Sequence, residues 1–349
     1  MIKIGLVGLG HGKTLLQINN PDVYRSRNDY LKKEIIPMKV TALCDTNEEL
    51  MSKFSNEYNI DSCTTDFDEL IKMDDIDVVA IYTPGPLHGP QILAALDAGK
   101  HVMVTKSMVY TEKEAEDVVN AVDKSGLVLL VTQTMRCKLD MMEAKRACDA
   151  GELGDLFMAE SHYVHDLRSA YIYSPWRLEM PQDLILGGAC HPIDLLRWFM
   201  GDVAEIHCYG LKSGLVPEYP KEDNFVMNLK FTSGKIGRVA AYLGIVHPPN
   251  VPMNQIALYG TKGSIIDNMK KIDPEGYMPQ VEYSVGYPDT VLKGHSHEMI
   301  IMLRHMYNCI VNGEKPWIGA REGARIVSTG LAAWESLKTG VPVKVRNEF

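Results

Sequence analysis

Over the first 130 residues, short apolar segments alternate with amphipathic helical patterns, and this alternation constrains the fold more than any other feature. The segments are rich in Val, Ile and Leu and lack the period of two that marks a half-exposed strand. They are Ile2–Val7, Lys39–Cys44, Asp77–Tyr82, His101–Val104 and Leu127–Val131. Because alternating strands and helices imply right-handed crossovers, the pattern predicts an α/β fold with a doubly wound parallel sheet.

The pattern changes after about residue 150, where strand candidates follow one another directly. They are Leu156–Val164, Ala204–Tyr209, Asn224–Phe231, Lys235–Leu243 and Gln255–Tyr259, with helices around His191–Met200, Glu298–Val311 and Ala320–Lys338. Consecutive strands with segregated helices predict an α+β domain whose open, largely antiparallel sheet is covered on one face. We therefore expect two domains, residues 1–130 and residues 131–349.

The composition argues against several classes of protein. The formal net charge of −9 and the lack of a basic run interleaved with aromatic residues argue against nucleic-acid binding. No apolar stretch approaches the roughly 18 residues of a membrane span, and the first apolar run is too short for a signal peptide. The seven cysteines include no Cys-x-x-Cys pair, which is typical of reduced thiols. We expect a cytoplasmic protein with no membrane or nucleic-acid partner.

A glycine-rich turn, Gly8-Leu9-Gly10-His11-Gly12, directly follows the first strand and opens a helical pattern. Glycines at such a turn let the backbone approach a pyrophosphate, whose charge is met by the amides at the helix N-terminus. Lys13 stands where the third glycine or alanine of the usual motif would fall. With a strand before it and a helix after it, the turn predicts a Rossmann-type dinucleotide site.

Asp45 ends the second predicted strand and bears on the choice of dinucleotide. A carboxylate there accepts hydrogen bonds from the adenosine ribose and repels a 2′-phosphate, so NAD is favoured over NADP. Its separation from Gly10 is longer than usual, because residues 19–37 have the pattern of an inserted loop or short helix. The alternative is that Asp45 is only the N-cap of a helix predicted over Asn47–Tyr58, although the two roles can coexist because a cap uses one oxygen.

Several further segments, taken together, resemble one enzyme family over nearly the whole chain. Beside the glycine-rich turn they are Tyr82-Thr83-Pro84-Gly85-Pro86-Leu87-His88, Ala98-Gly99-Lys100-His101-Val102-Met103-Val104-Thr105-Lys106, Met135-Arg136, Gly188-Ala189-Cys190-His191-Pro192-Ile193-Asp194-Leu195-Leu196-Arg197-Trp198 and Gly260-Thr261-Lys262-Gly263-Ser264. The chain resembles the glucose–fructose oxidoreductase, inositol dehydrogenase and rhizopine-catabolism (Gfo/Idh/MocA) family. The resemblance implies an NAD cofactor bound by Gly8, Gly10, His11, Gly12, Asp45, Thr83, Pro84, His88, Lys106 and Arg136.

The same resemblance implies two catalytic residues. Lys106 matches a lysine that contacts the hydroxyl being oxidised and stabilises its developing negative charge. His191 matches the histidine that takes the hydroxyl proton, a role that suits an imidazole whose pKa lies near working pH. The chain departs from the family at Thr105-Lys106-Ser107, where the family has Glu-Lys-Pro. It departs again at Gly187, where many members have an aspartate that partners the histidine.

Further residues are candidates for contact with a sugar-like substrate. His165 and Asp166, at the end of a predicted strand, are candidates to fill the place of the missing aspartate. The loop that follows contains Tyr173, Trp176 and Arg177, and aromatic faces pack on sugar C–H surfaces while arginine binds vicinal hydroxyls. A tryptophan that covers the edge of the core explains this loop equally well.

Three other side chains are candidates to lie near the pocket for the sugar-like substrate. Asp194 lies one helical turn after His191 and either faces the same pocket or bonds to neighbouring backbone. His247 and His297 are also candidates to approach the site. No His-x-x-x-His or His-x-Glu spacing places two ligands on one helix face, so we expect no metal site.

These features favour a dehydrogenase that transfers hydride between NAD and a secondary hydroxyl of a sugar, a glycoside (for example at C3) or an inositol. A glycosidase that recycles tightly held NAD through oxidation and elimination is the alternative, with His165 or Tyr173 as the further base near C2. A non-catalytic NAD-binding regulator is the third. The resemblance also implies a homodimer or homotetramer.

Overall fold

The computed structural model describes residues 1–20, 35–174, 176–180, 182–248, 251–267, 269–273, 280–283 and 296–349. The chain divides into two compact units. The first comprises Met1–Cys137, Pro288–Ala324 and Phe349, and the second comprises Lys138–Tyr287 and Arg325–Glu348. The domain limits of 1–130 and 131–349 follow the sequence pattern alone and remain a prediction. The compact units differ from them chiefly in assigning the helix over 296–312 to the first unit.

A parallel sheet forms the centre of the first unit. Its strands are β1 (Ile2–Val7), β2 (Met38–Cys44), β3 (Ser62–Thr64), β4 (Val78–Ile81), β5 (His101–Thr105) and β6 (Leu129–Thr132). Over the described residues the sheet is six-stranded with the order β3-β2-β1-β4-β5-β6, which confirms the predicted doubly wound fold. The order reverses between β1 and β4, and ligands of such sheets bind outside the carboxyl ends of the strands at this point.

Helices cover both faces of this sheet. They are α1 (Leu9–Gly12), α2 (Glu48–Tyr58), α3 (Phe67–Ile71), α4 (His88–Asp97), α5 (Glu112–Ser125) and α10 (Ser296–Asn312), with 3₁₀ turns at Lys13–Asn19, Gly85–Leu87 and Thr134–Cys137. At α5 the Thr111 side chain accepts a hydrogen bond from the Glu114 amide at 3.1 Å, and Gly126, with φ of 66°, ends the helix.

The N-cap of α2 corrects one prediction. Asn47, not Asp45, caps this helix, because the Asn47 side chain accepts a hydrogen bond from the Leu50 amide at 2.9 Å. Asp45 lies two residues earlier and accepts the Asn47 amide instead. The alternative reading of Asp45 as a helix cap alone was therefore wrong, and its carboxylate is directed toward the turn after β1.

The core of the first unit explains why its strands lack alternation. Ile4 and Leu6 on β1 and Val78 on β4 are completely buried, because both faces of the sheet are covered. Helix α10 adds a methionine-rich face, in which Met299, Ile300, Met302, Leu303 and Met306 are completely buried in the same cluster. Each fully buried side chain of this size contributes about 1.5–3 kcal/mol. Burial of this face therefore holds α10 on the first unit.

The second unit is built on a mixed, mostly antiparallel sheet. Its strands are β7 (Leu156–Val164), β8 (Val203–Leu211), β9 (Asn224–Phe231), β10 (Ile236–Tyr242), β11 (Asn254–Gly260), β12 (Gly263–Ile266), β13 (Met269–Ile272), β14 (Gln280–Tyr283) and β15 (Val343–Lys344). The described strands follow the order β14-β13-β12-β11-β7-β10-β9-β8-β15, and only β7 and β10 among them pair in parallel. Phe225, Met227, Leu229 and Phe231 on β9 are buried at every second position, so one face of the sheet is covered.

The helices of this unit are α6 (Leu139–Asp149), α7 (Arg168–Tyr173), α8 (Trp176–Glu179) and α9 (Cys190–Met200), while α11 (Ala320–Thr339) belongs to it from Arg325 onward. Helix α9 packs against β7 and β10 and follows a π-helical turn over Ile185–Ala189. The Asp183 carboxylate fixes this turn, since it accepts the Leu186 amide at 2.8 Å and the Trp334 indole N–H at 2.7 Å. Among the described helices, none combines the length and the apolar character needed to cross a membrane.

Candidate active site

The glycine-rich turn of the first unit packs tightly against the start of the loop after β4. Gly8 has φ of 84°, and a β-carbon there would lie 2.6 Å from the Tyr82 carbonyl oxygen. A β-carbon on Gly12 would lie 2.9 Å from a methyl carbon of Leu6. Gly10, in contrast, has open space within 4 Å of the place where a β-carbon would stand. Packing thus requires Gly8 and Gly12, while Gly10 leaves the turn open to an approaching group.

Asp45 joins the end of β2 to this turn. Its Oδ2 atom accepts the Leu9 amide at 2.6 Å, and its Oδ1 atom accepts the Asn47 amide at 2.8 Å. Each carboxylate oxygen keeps a further lone pair for another donor. The carboxylate is therefore held beside the turn with acceptor capacity for a ribose diol and with a negative charge that would repel a 2′-phosphate.

Lys106 directly follows β5 and is half-buried. The peptide bond between Lys106 and Ser107 is cis. On the neighbouring strand, β4, the chain continues into Thr83 and Pro84, which are also half-buried. These residues therefore stand at the carboxyl ends of adjacent parallel strands, where an open α/β sheet binds its ligands.

His88 connects the loops that follow these two strands. Its ring is buried, with Nδ1 2.7 Å from the Ser107 carbonyl oxygen and Nε2 2.9 Å from the Thr83 carbonyl oxygen. Burial lowers the pKa of His88, the two carbonyl contacts oppose this effect, and the charge of Lys106 adds to it. The ring thus fixes the backbone on either side of Lys106, and its predicted contact with the cofactor remains a prediction.

The remaining residues predicted to bind the cofactor differ in exposure. His11 is exposed, with its ring centroid 6.2 Å from that of Tyr82. The Thr83 hydroxyl donates to the Gln91 side-chain oxygen at 2.5 Å. Arg136 is buried and donates from Nη1 to the Trp317 carbonyl oxygen at 3.3 Å, so part of its guanidinium supports the segment before α11.

These residues fit NAD. The open space at Gly10 accommodates a pyrophosphate, and the held carboxylate of Asp45 suits an adenosine ribose without a 2′-phosphate. Lys106 lies at the end of β5, where it can reach a group bound at the carboxyl edge of the sheet. Together they would hold the dinucleotide along the crevice at which the strand order reverses.

In the second unit, His191 lies in the first turn of α9 and is 5% exposed. The ring of Tyr163 on β7 is its aromatic neighbour, with centroids 5.3 Å apart, and the same ring lies 6.1 Å from that of His165. Burial raises the pKa of Tyr163 to about 12. The structure thus gathers two predicted histidines around a tyrosine that the sequence analysis did not single out.

Asp166 is bound by an arginine close to it in sequence. The Arg168 guanidinium donates to both carboxylate oxygens of Asp166, at 2.8 and 2.6 Å. These bonds lower the pKa of Asp166 and balance its charge. His165 lies next to it and donates its backbone N–H to the Tyr242 carbonyl oxygen at 2.8 Å. Asp166 is thus ionised and already engaged, which weakens its candidacy as a substitute for the missing aspartate.

Gly187 packs against the side chain of Gln182. The Gln182 side chain fills the space beside Gly187, where a β-carbon would lie 2.9 Å from the Gln182 Cδ atom. The side-chain oxygen of Gln182 accepts a hydrogen bond from Nη1 of Arg177. Arg177, predicted to bind substrate, is thereby tied to a glutamine that the sequence analysis did not identify.

The other residues predicted near the substrate, of which His297 belongs to the first unit, divide into two groups. Asp194 is completely buried on α9, and His247 lies after β10. Tyr173, Trp176 and His297 belong to α7, α8 and α10 by backbone, and their side chains lie outside the described residues. Within the part of the chain that the structure describes, no three His, Cys, Asp or Glu side chains cluster as metal ligands.

Of the two residues that the sequence did not reveal, Tyr163 has a direct signal in the sequence and Gln182 only an indirect one. Tyr163 shares the face of β7 with Ala159 and Ser161, both buried, by the period of two along a strand. Gln182 offers no such signal, because it lies in irregular chain between α8 and the π-helical turn. Only the glycine at position 187 hints at it, since a glycine within a helical segment often marks close packing.

Comparison with known proteins identifies the family. The model described as "Oxidoreductase family, NAD-binding Rossmann fold" (GFO_IDH_MocA) matches residues 2–133, and that of the "GFO/IDH/MocA C-terminal domain" matches residues 141–266. Both halves of the chain thus match the two domains of one family in order.

Individual relatives agree with this assignment. Levoglucosan dehydrogenase of Pseudarthrobacter phenanthrenivorans is 27% identical over 264 residues, which are 66% of this chain and 65% of that protein. The scyllo-inositol 2-dehydrogenase (NAD(+)) of Bacillus subtilis is 23% identical over 326 residues, 92% of each chain. A solved structure of levoglucosan dehydrogenase in complex with NADH has a TM-score of 0.85 at 21% identity, and the match covers 99% of this chain and 100% of that one. The chain therefore belongs to the Gfo/Idh/MocA family of NAD-dependent oxidoreductases.

Proposed function

We propose that this protein is a dehydrogenase that transfers hydride to NAD from a secondary hydroxyl of a sugar, a glycoside or an inositol. The observation that carries the proposal is Lys106, placed at the carboxyl end of β5 on a loop that buried His88 fixes. The relatives named as levoglucosan and inositol dehydrogenases support the substrate class. Oxidation of a glycoside at its 3-hydroxyl is one form that this reaction can take.

The proposed chemistry divides between two residues. Lys106 supplies a positive charge that stabilises the hydroxyl oxygen as it becomes alkoxide-like, and His191 accepts the hydroxyl proton. Bound NAD supplies the acceptor for the hydride. The fixed backbone around Lys106 limits the reorganisation needed when charge develops on the substrate oxygen.

The second unit supplies groups suited to a substrate rich in hydroxyls. Imidazoles of His165 and His191, the hydroxyl of Tyr163 and the guanidinium of Arg177 can all bond to sugar oxygens. The carboxylate of Asp166 is balanced by Arg168, so it adds little net negative charge beside these donors. This set favours a polar, uncharged or weakly anionic ligand over a cationic one.

The decisive test follows the absorbance of NADH with purified protein, NAD and a panel of glycosides, free sugars and inositols. Continuous growth of the NADH band with one class supports the dehydrogenase and identifies its substrate class. Release of aglycone from a glycoside without net NADH indicates the alternative glycosidase, which would recycle its NAD. Normal NADH binding with no turnover of any member contradicts both and indicates a regulator.

A further inference from the structure

We propose that Gln182 is a positioning residue: it occupies the space that a side chain at position 187 would need and holds the Arg177 guanidinium in place for the substrate. The inference rests on the proposed function, because it assigns to Arg177 a contact with oxygens of a sugar-like substrate. Its consequence is that an amide and a guanidinium, rather than a carboxylate, determine which substrate oxygens are accepted beside the His191 helix.

The first step is the packing of Gln182 on Gly187. A β-carbon on Gly187 would lie 2.9 Å from Cδ and 3.0 Å from Cγ of Gln182, and closer still to Nε2. Real β-carbons essentially never have contacts under 3.0 Å, so a β-carbon at position 187 would require the Gln182 side chain to move away from its present place. Gly187 does not adopt a positive φ, so packing and not backbone conformation accounts for the glycine.

The second step is the anchoring of Gln182 at both ends. Its backbone carbonyl oxygen accepts the Tyr219 hydroxyl at 2.7 Å, and its side-chain oxygen accepts Nη1 of Arg177. Tyr219 is 1% exposed, and its ring lies 5.9 Å from that of Tyr171 on α7. The backbone of Gln182 is thus held by a buried tyrosine, and the direction of its side chain is set by Arg177 and Gly187.

The third observation concerns the position of the positively charged Arg177 guanidinium relative to two tyrosines. Burial raises the pKa of Tyr163 to about 12 and that of Tyr171 to about 12, and the positive charge of Arg177 opposes both shifts. The guanidinium therefore lies within electrostatic range of Tyr163, whose ring contacts His191 at 5.3 Å between centroids. The charge of Arg177 therefore acts on the tyrosine that packs beside His191.

Together these contacts predict how the chain selects its substrate. A guanidinium donates hydrogen bonds only, so it binds hydroxyl lone pairs or a carboxylate of the ligand. The Arg177 side chain binds the substrate more tightly if its conformation is already fixed, because ordering a long flexible side chain on binding costs affinity. The hydrogen bond from Arg177 to Gln182 orders the arginine side chain before the substrate binds, so part of this entropy cost does not fall on binding.

The kinetic test compares three substitutions at position 182 with the best substrate of the panel. Gln182→Met keeps the volume but cannot accept a bond from Arg177, so we expect KM to rise about tenfold while kcat changes much less. Gln182→Glu keeps the acceptor and should retain a KM within about threefold of the unmodified value. Gln182→Ala should resemble the methionine variant. The NADH dissociation constant serves as the control and should not change.

A Gln182→Met variant with unmodified KM would overturn the inference, since packing alone would then explain the glutamine.

A thermal test without substrate examines the same geometry. Gly187→Ala should lower the melting temperature by several degrees, and Gln182→Ala in the same chain should restore most of the loss. Equal effects of Gly187→Ala with and without Gln182 would also overturn it. Lack of turnover in the unmodified protein, with this coupling present, contradicts the proposed function while supporting the packing.

Discussion

The two units assemble their functional residues in different ways. In the first, the candidate residues follow the ends of parallel strands, with Gly8 after β1, Asp45 after β2 and Lys106 after β5. In the second, the candidate residues meet side chains from separate segments: Tyr163 on β7 lies beside His191, and Gln182 after α8 packs on Gly187. A site made at strand ends follows from the order of elements along the chain. A site made by side-chain packing depends on which distant segments meet.

The difference also concerns what holds each set in place. Backbone groups fix the first set, as when Asp45 accepts the Leu9 amide and His88 contacts two carbonyl oxygens. Side chains fix much of the second, as when Arg177 bonds to Gln182 and Asp166 to Arg168. Substitutions should therefore be more local in their effects in the first unit and more coupled in the second. Substitutions at Lys106, His191 and Asp45 test that contrast.

The largest expected effect is at Lys106. Lys106→Ala should lower turnover by at least about 100-fold, because it removes the charge that stabilises the developing oxyanion, while leaving NAD affinity nearly intact. Steady-state kinetics and NADH titration measure the two quantities. Lys124→Ala, at an exposed position of α5, is the matched control. Near-normal turnover of Lys106→Ala would contradict the assigned role.

His191→Asn should lower kcat by about 100-fold through loss of the proton acceptor, again with NADH binding unchanged. Because the ring of Tyr163 contacts His191, this variant should also alter KM, unlike the change at Lys106. The control is His207→Asn on β8, where the centroid of the histidine ring lies 4.6 Å from that of Tyr209. If the two histidine variants behave alike, His191 is a structural residue.

At Asp45 a pair of variants separates charge from geometry. Asp45→Ala should weaken NAD binding by roughly tenfold or more, since it loses both the bond to the Leu9 amide and the acceptor for the ribose. Asp45→Asn keeps an acceptor for that amide and should lose less, while both variants bind NADP better relative to NAD than the unmodified protein does. Titration with both reduced dinucleotides measures this, and unchanged preference in Asp45→Asn would show that charge plays no part.

The smallest effect concerns acid stability, and it should appear in the first unit. Burial lowers the pKa values of His88, His101 and His305, all in this unit, so the unfolded chain binds protons there more readily. The contribution of these neutral histidines to the free energy of unfolding should be fully present above about pH 6.5 and be lost as the pH falls below it.

Trp317 offers a local measurement of this loss. His305 Nε2 accepts the Trp317 amide at 2.9 Å and its ring stacks on the indole at 3.9 Å, so protonation breaks a contact beside the fluorophore. Of the four tryptophans, the other three (Trp176, Trp198 and Trp334) lie in the second unit. As the pH is lowered, the fluorescence of a variant with Trp317 as its single tryptophan should therefore report unfolding at a higher pH than that of a variant with Trp334 as its single tryptophan. The reverse order would show that acid acts on the second unit first.

The fold was largely predictable because hydrophobic periodicity reports burial directly. β7 and β9 agree with their predicted limits, and the parallel strands of the first unit were recognised from uninterrupted apolar runs. β3 was missed, since two of its three residues are exposed and it has no apolar run. The helix over 296–312 shows another limit: its pattern predicts an amphipathic helix, but the pattern alone does not say on which unit it packs.

From its sequence alone, this chain is recognisable as a two-part NAD-dependent oxidoreductase, because strand order, the glycine-rich turn and Asp45 lie within short segments whose chemistry is local. Tertiary structure alone decided that Asp45 holds the turn rather than capping α2, that Asp166 is bound by Arg168, and that Gln182 fills the space at Gly187. The physical reason is that hydrogen-bond partners and close packing depend on distances of a few tenths of an ångström. Such distances are set only when the segments that carry the side chains have folded together.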